Sequence, residues 1–132
     1  MEFGNPNQAV GRPMKVGKEE IVALVVALER YRKLDQEREI ERWNERARWL
    51  ANELQGIRGL RAEYAVNTKG YADVDLSWDE TVFPFDHAEL RKRLLAGSPS
   101  MTYDGTTVRV RQLDDAELVL VARRLREVFG IV

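Results

Sequence analysis

The sequence predicts an α+β domain in which helices cover one face of a small antiparallel sheet, in the order α-α-β-β-α-β-β-α. Three observations predict it. Apolar residues recur at helical spacing through residues 18–54. Two runs that alternate apolar with polar residues follow, separated by a short Gly-containing turn. Capping patterns at Asp86 and Asp114 then open two further helices, with a second turn signal between them. A chain of 132 residues fits one domain and can bury roughly two thirds of its unfolded surface.

Residues 1–17 hold three Gly, two Pro and three Asn or Gln, and read as a linker arm ahead of a domain at 18–132. Pro13 keeps the arm out of helix, and Gly17 serves as N-cap of a first helix over Lys18–Leu34. Glu19 and Glu20 lie in its first turn, where the helix dipole favours carboxylates. Ile21, Leu24, Val25 and Leu28 make one apolar stripe, while Val22 and Val26 add a second. Such a helix calls for cover on both sides. Asp35 can cap a second helix over Gln36–Leu54, where Ile40, Trp43, Ala47, Leu50 and Leu54 step by three and four. Its other face, rich in Glu and Arg, reads as solvated.

Leu60, Ala62, Tyr64 and Val66, then Ala72, Val74, Leu76 and Trp78, alternate with polar residues about the loop 67–70 and predict a hairpin. Asp73, Asp75 and Ser77 fall on its wet face. Phe83-Pro84-Phe85 is a rigid connector, Asp86 opens a third helix, and Gly97-Ser98-Pro99 stops it. Met101–Tyr103 and Thr106–Arg111, joined by Asp104-Gly105, predict a second hairpin. Asp114 with Glu117 opens the last helix, whose buried stripe is Leu118, Val121, Ala122, Leu125, Val128 and Phe129.

Composition narrows the chemistry. Basic and acidic residues nearly cancel, 21 against 22, which argues against a nucleic-acid partner. The absence of cysteine removes disulfides, thiolate metal sites and cysteine nucleophiles. No apolar run approaches the ~20 residues that span a bilayer, and no signal peptide is legible, so the expectation is a cytoplasmic protein without a membrane partner. Gly11…Gly17-Lys18 misses the P-loop pattern by one residue of spacing and by Glu19 in place of Ser or Thr. His87 is the only histidine and reads as a surface residue, which leaves metal and Ser-His-Asp sites poorly supported. Asp73 and Asp75 could form a carboxylate pair, but a solvent-facing strand is the simpler reading. Trp43, Trp49 and Trp78 fall at or beside core stripes and read as packing. None of the five lysines, Lys15, Lys18, Lys33, Lys69 and Lys92, lies in a context that would desolvate it for Schiff-base chemistry. The residues alone assemble no active site, catalytic or metal.

Gly-Arg-Pro-Met-Lys-Val-Gly-Lys-Glu-Glu-Ile at 11–21 resembles the linker that begins the C-terminal small domain in relatives of bacterial selenocysteine synthase (L-seryl-tRNA(Sec) selenium transferase). This group of fold-type I enzymes includes sugar-acid ammonia-lyases such as D-glucosaminate-6-phosphate ammonia-lyase. Ala27–Tyr31, the helix around Trp43, Leu94–Pro99 and the closing helix fall in the family's order, so the likeness runs from about residue 10 onward. It implies the small domain of a fold-type I aminotransferase and pyridoxal phosphate in the parent enzyme. It also implies a small anionic substrate, and Arg12 and Lys15 as the pair that lines the active site toward it. In the family a preceding large domain carries the Schiff-base lysine in an Asp-Lys context followed by Gly-Pro. Neither dipeptide occurs here. The resemblance therefore implies a portion that is inactive alone, binds no cofactor itself, and partners an upstream large domain or a second copy. The alternative is an independent α+β interaction module that binds a partner through helix 18–34.

Overall fold

A computed structural model describes residues 16–103 and 105–130. Helix α1 spans Lys18–Lys33, α2 Gln36–Leu54, α3 His87–Ala96 and α4 Asp115–Val128. Strands β1 (Leu60–Val66), β2 (Ala72–Trp78) and β3 (Thr107–Val108) form one antiparallel sheet in the order β1-β2-β3. The predicted α+β class holds. The chain divides into two units, one ending at Asp35 and one from Gln36 onward.

In the first unit, Gly17 is extended and its N–H donates to Glu20 Oε2 at 2.6 Å, which closes the first turn of α1. No residue of α1 is buried: Val22 is 62 % exposed, Leu24 59 % and Leu28 53 %. Each uncovered Val or Leu forgoes about 1.5–3 kcal/mol of burial. Contiguous apolar surface of this kind binds hydrophobic dye. Val22→Asp with Val26→Asp should therefore cut dye fluorescence several-fold, whereas reversals at exposed Arg38 or Glu41 should leave it unchanged. Equal effects from both pairs would contradict this reading.

In the second unit, Ala47, Leu50, Ala51 and Leu54 of α2 pack on Ala72, Val74 and Leu76 of β2. Leu90 and Leu94 of α3 and Leu118, Val121 and Leu125 of α4 complete the core. The opposite sheet face carries Arg61, Glu63 and Asp75, all exposed. The first hairpin forms in the register Leu60↔Trp78 to Val66↔Ala72. Gly70, at φ +85°, donates to Asn67 O, and Asn67 N–H to Tyr71 O. The loop is thus a tight turn closed by one left-handed glycine.

The second hairpin differs from expectation. Thr107–Val108 pairs with β2, but the described residues of Met101–Tyr103 carry no strand. Met101 N–H instead donates to Leu94 O, and Ser100 Oγ to Leu95 O. The carbonyls left over at the end of α3 claim these donors before a strand partner can. Val110–Gln112 closes into a 3-10 turn rather than continuing β3. Gly97 has a second task besides stopping α3. Its φ is an ordinary −81°, yet a Cβ there would lie 1.6 Å from Arg124 Nη2. That guanidinium pairs with Glu127 and reaches Arg93 O at 3.4 Å, tying α4 to the end of α3.

Candidate functional site

Arg12 and Lys15 lie outside the described residues. The described part of their neighbourhood is the start of α1, where the Gly17 amide is already engaged by Glu20 and Glu19 adds a second carboxylate. Further along α1, Ala23, Val26, Ala27, Arg30, Tyr31 and Leu34 line a shallow apolar hollow. Lys18, Lys33, Lys69 and Lys92 are all exposed. None has the dry, shielded surroundings that Schiff-base chemistry needs, so the described residues do not fit pyridoxal phosphate. Among them, no group of three or more His, Cys, Asp or Glu is arranged to hold a metal ion.

His87 is not the surface residue that its sequence context suggests. It is half-buried, with its ring 4.3 Å from that of Trp78 and Nδ1 3.1 Å from the Tyr103 hydroxyl. Sequence reasoning missed the pair because its members belong to α3 and to a segment read as strand. Burial, with a smaller contribution from the Asp75 charge, pushes the Tyr103 phenol up to about 12. A raised folded pKa means that the neutral phenol's contribution to stability is complete below the ordinary value of 10.0 and is lost as pH climbs toward 12. The difference between the ultraviolet titrations of the wild type and Tyr103→Phe should accordingly show an ionisation near 12. A midpoint at the ordinary value would show the pocket to be open.

Asp73 and Asp75 share the open sheet face but not an environment. Asp75 accepts from Thr107 Oγ1 at 2.5 Å and is exposed. Asp73 is half-buried and its Oδ1 has no hydrogen-bond partner among the described residues. Burial raises the Asp73 pKa against the opposing pull of Arg111, Arg109 and the Val110 amide. Trp43 and Trp78 pack as expected: Trp43 meets the Tyr71 ring edge-on at 5.9 Å, and Trp78 Nε1 donates to Phe85 O at 2.8 Å. Trp49 differs. It is 37 % exposed and, with Val119, lines a groove between α2 and α4. Arg46 braces that groove by donating to Asp115 Oδ1 at 2.8 Å and Leu113 O at 2.9 Å.

The second unit is thus a packed scaffold without assembled catalytic groups among its described residues, and the first presents an uncovered apolar helix. No protein-family model and no curated protein matches the chain. Among solved structures, it is similar to that of a D-glucosaminate-6-phosphate ammonia-lyase, with a TM-score of 0.73 at 22 % identity. The match covers 93 % of this chain and 35 % of that one, so the chain spans about a third of the length of its neighbour. At this identity the likeness shows the fold.

Proposed function

We propose that residues 18–132 are the C-terminal small-domain portion of a pyridoxal-phosphate-dependent transferase or ammonia-lyase of the selenocysteine synthase-like group, with 1–17 as its linker arm. One observation carries the reading: the fold of the ammonia-lyase is matched over 93 % of this chain but only 35 % of its own. The likeness of residues 11–21 to the family's linker supports the finer assignment. Cofactor and Schiff-base lysine belong to the rest of the parent enzyme, and this portion is inactive alone. Its partner is an upstream cofactor-binding domain or a second copy, and its setting is cytoplasmic. Covering α1 against that partner would bury apolar residues that stand exposed here. Arg12, helped by Lys15, grips an anionic group of the substrate. A guanidinium can bind carboxylate or phosphate through two parallel bonds, which an ammonium cannot reproduce.

The test joins this chain to a cofactor domain and compares three variants. Arg12→Ala should lower kcat/KM about 10- to 150-fold, the loss of one charge-assisted hydrogen bond of ~1.5–3 kcal/mol. Stability should stay within about 0.5 kcal/mol. Arg12→Lys should recover part of the loss, and Lys15→Ala should cost less. Unchanged kinetics with a lowered melting point would make Arg12 structural. The exposed α1 also favours a second reading, an independent module that binds a partner protein through this helix. Failure of every joined protein to turn over, together with partner capture that α1 substitutions abolish, would favour it.

A further inference from the structure

We propose that the free edge of β1 is an interface for a second copy of this chain, the two β1 strands pairing antiparallel about a two-fold axis through Ala62. The proposal rests on the sheet alone and stands apart from the proposed enzymatic role.

Among the described residues the edge is open. The order β1-β2-β3 leaves β1 at the margin, and no described strand pairs with its outer side. Edge strands are ordinarily blunted by Pro, a bulge, an inward charge or brevity. β1 has seven residues, Leu-Arg-Ala-Glu-Tyr-Ala-Val, with no Pro or Gly and an unbroken register on β2.

Hydrogen-bond parity states which groups are free. Asn67 N–H bonds Tyr71 O and Asp79 N–H bonds Gly59 O, at the two ends of one register. Antiparallel bonding alternates along a strand, so odd-numbered residues of β1 face β2 and even-numbered ones face outward. The outward set is Leu60, Ala62, Tyr64 and Val66; among the described residues only the Leu60 N–H of this set has a backbone partner, Ile57 O. About Ala62, two Ala62 N–H···O bonds and two Tyr64 N–H···Leu60 O bonds can form without disturbing β2.

Charge selects this register over its neighbours. Centring the pair on Arg61 would set Arg against Arg, and centring it on Glu63 would set Glu against Glu. Centring it on Ala62 sets Arg61 against Glu63 of the other copy, twice. Glu63 also stands directly opposite Asp75 on β2 with Arg61 of its own strand 3.7 Å away, and an arginine from the second copy would add a second cation to this acidic pair. On the other face Leu60, Ala62 and Tyr64 are only half-buried against the core, and the second copy would cover their open side.

The chain has no cysteine, which permits a direct test. Facing hydrogen-bonded residues have Cα atoms about 5.5 Å apart, within disulfide range. Ala62→Cys should cross-link to itself under mild oxidation at least about tenfold faster than Ala65→Cys, which the register places opposite residue 59. Adding Glu63→Arg to Ala62→Cys should slow cross-linking at least about fivefold, because two opposed pairs become like-charged. Adding Arg61→Glu as well should restore it. Equal rates at 62 and 65, indifference to the single reversal, or no rescue by the double swap would each overturn the proposal. So would a wild-type chain that sediments as a monomer at the cross-linking concentration.

Discussion

Phe129→Ala should destabilise the unit from Gln36 onward by about 3–5 kcal/mol, the range for truncating a buried aromatic. Phe129 is 3 % exposed and is the point where α4 meets the connector and β2. Its ring lies 4.9 Å from Phe83, 5.3 Å from Trp78 and 5.5 Å from Phe85, at angles from tilted to edge-on. Truncation loses all three aromatic pairs and leaves a cavity among groups that cannot collapse together. Trp78 is tethered by its bond to Phe85 O, and Pro84 stiffens the connector between the two phenylalanines. Domains of this size lose roughly 4–8 °C of melting temperature per kcal/mol, so the melting point should fall by at least about 12 °C. Val119→Ala, on the exposed side of the same helix, should change stability by no more than about 0.5 kcal/mol. Urea unfolding of the two variants decides the matter. A loss below ~1 kcal/mol at Phe129 would mean that the cluster repacks and that the closing helix is not anchored there.

The elements legible in the sequence are those whose signal is local. The three-and-four spacing from Ile40 to Leu54 marks α2 because helix period and burial coincide there, and the observed bounds are Gln36–Leu54. Alternation marks β1 and β2 for the same reason. The capping box at Asp114 and Glu117 forms in both directions, each bond at 2.8 Å. The second hairpin was legible in one arm only, since Asp-Gly states a turn but not whether both flanks find partners. The end of α3 competes for Met101, and nothing local in the sequence reveals that competition.

Site residues divide along the same line. His87 and Tyr103 are sixteen residues apart, and their contact depends on how α3 and the segment before β3 pack together. Gly97 reads as a helix stop, while its approach to Arg124 depends on a partner twenty-seven residues away. Arg12 and Lys15 were reachable only through the resemblance of residues 11–21. No spacing or periodicity distinguishes them from other linker cations.

Asn44 is the polar exception in the core stripe of α2, and Asn44→Leu should cost about 1–3 kcal/mol although leucine shares its branched shape and suits the apolar surroundings. The side chain is 7 % exposed and makes two bonds to the hairpin. Oδ1 accepts from the Ala72 amide at 2.7 Å and Nδ2 donates to Gly70 O at 3.2 Å. The first bond matters more. Leu76 N–H donates to Thr106 O, so even-numbered residues of β2 face β3, and Ala72 falls opposite Val110. The chain leaves the sheet there for its 3-10 turn, which strands a fully buried amide. Asn44 supplies the acceptor that a longer β3 would have provided. Leucine leaves that donor unsatisfied, at a cost of about 1–3 kcal/mol, whereas Gly70 is exposed and its carbonyl can turn to water. Asn44→Ser, too short to reach both groups, should also destabilise, which separates the hydrogen bond from side-chain size. Amide exchange at Ala72 is the local readout. It should accelerate in both variants well beyond the change at Leu76, whose partner is untouched. A Leu variant as stable as the wild type, with Ala72 still protected, would mean that another acceptor serves this amide and that Asn44 does not fasten α2 to the hairpin.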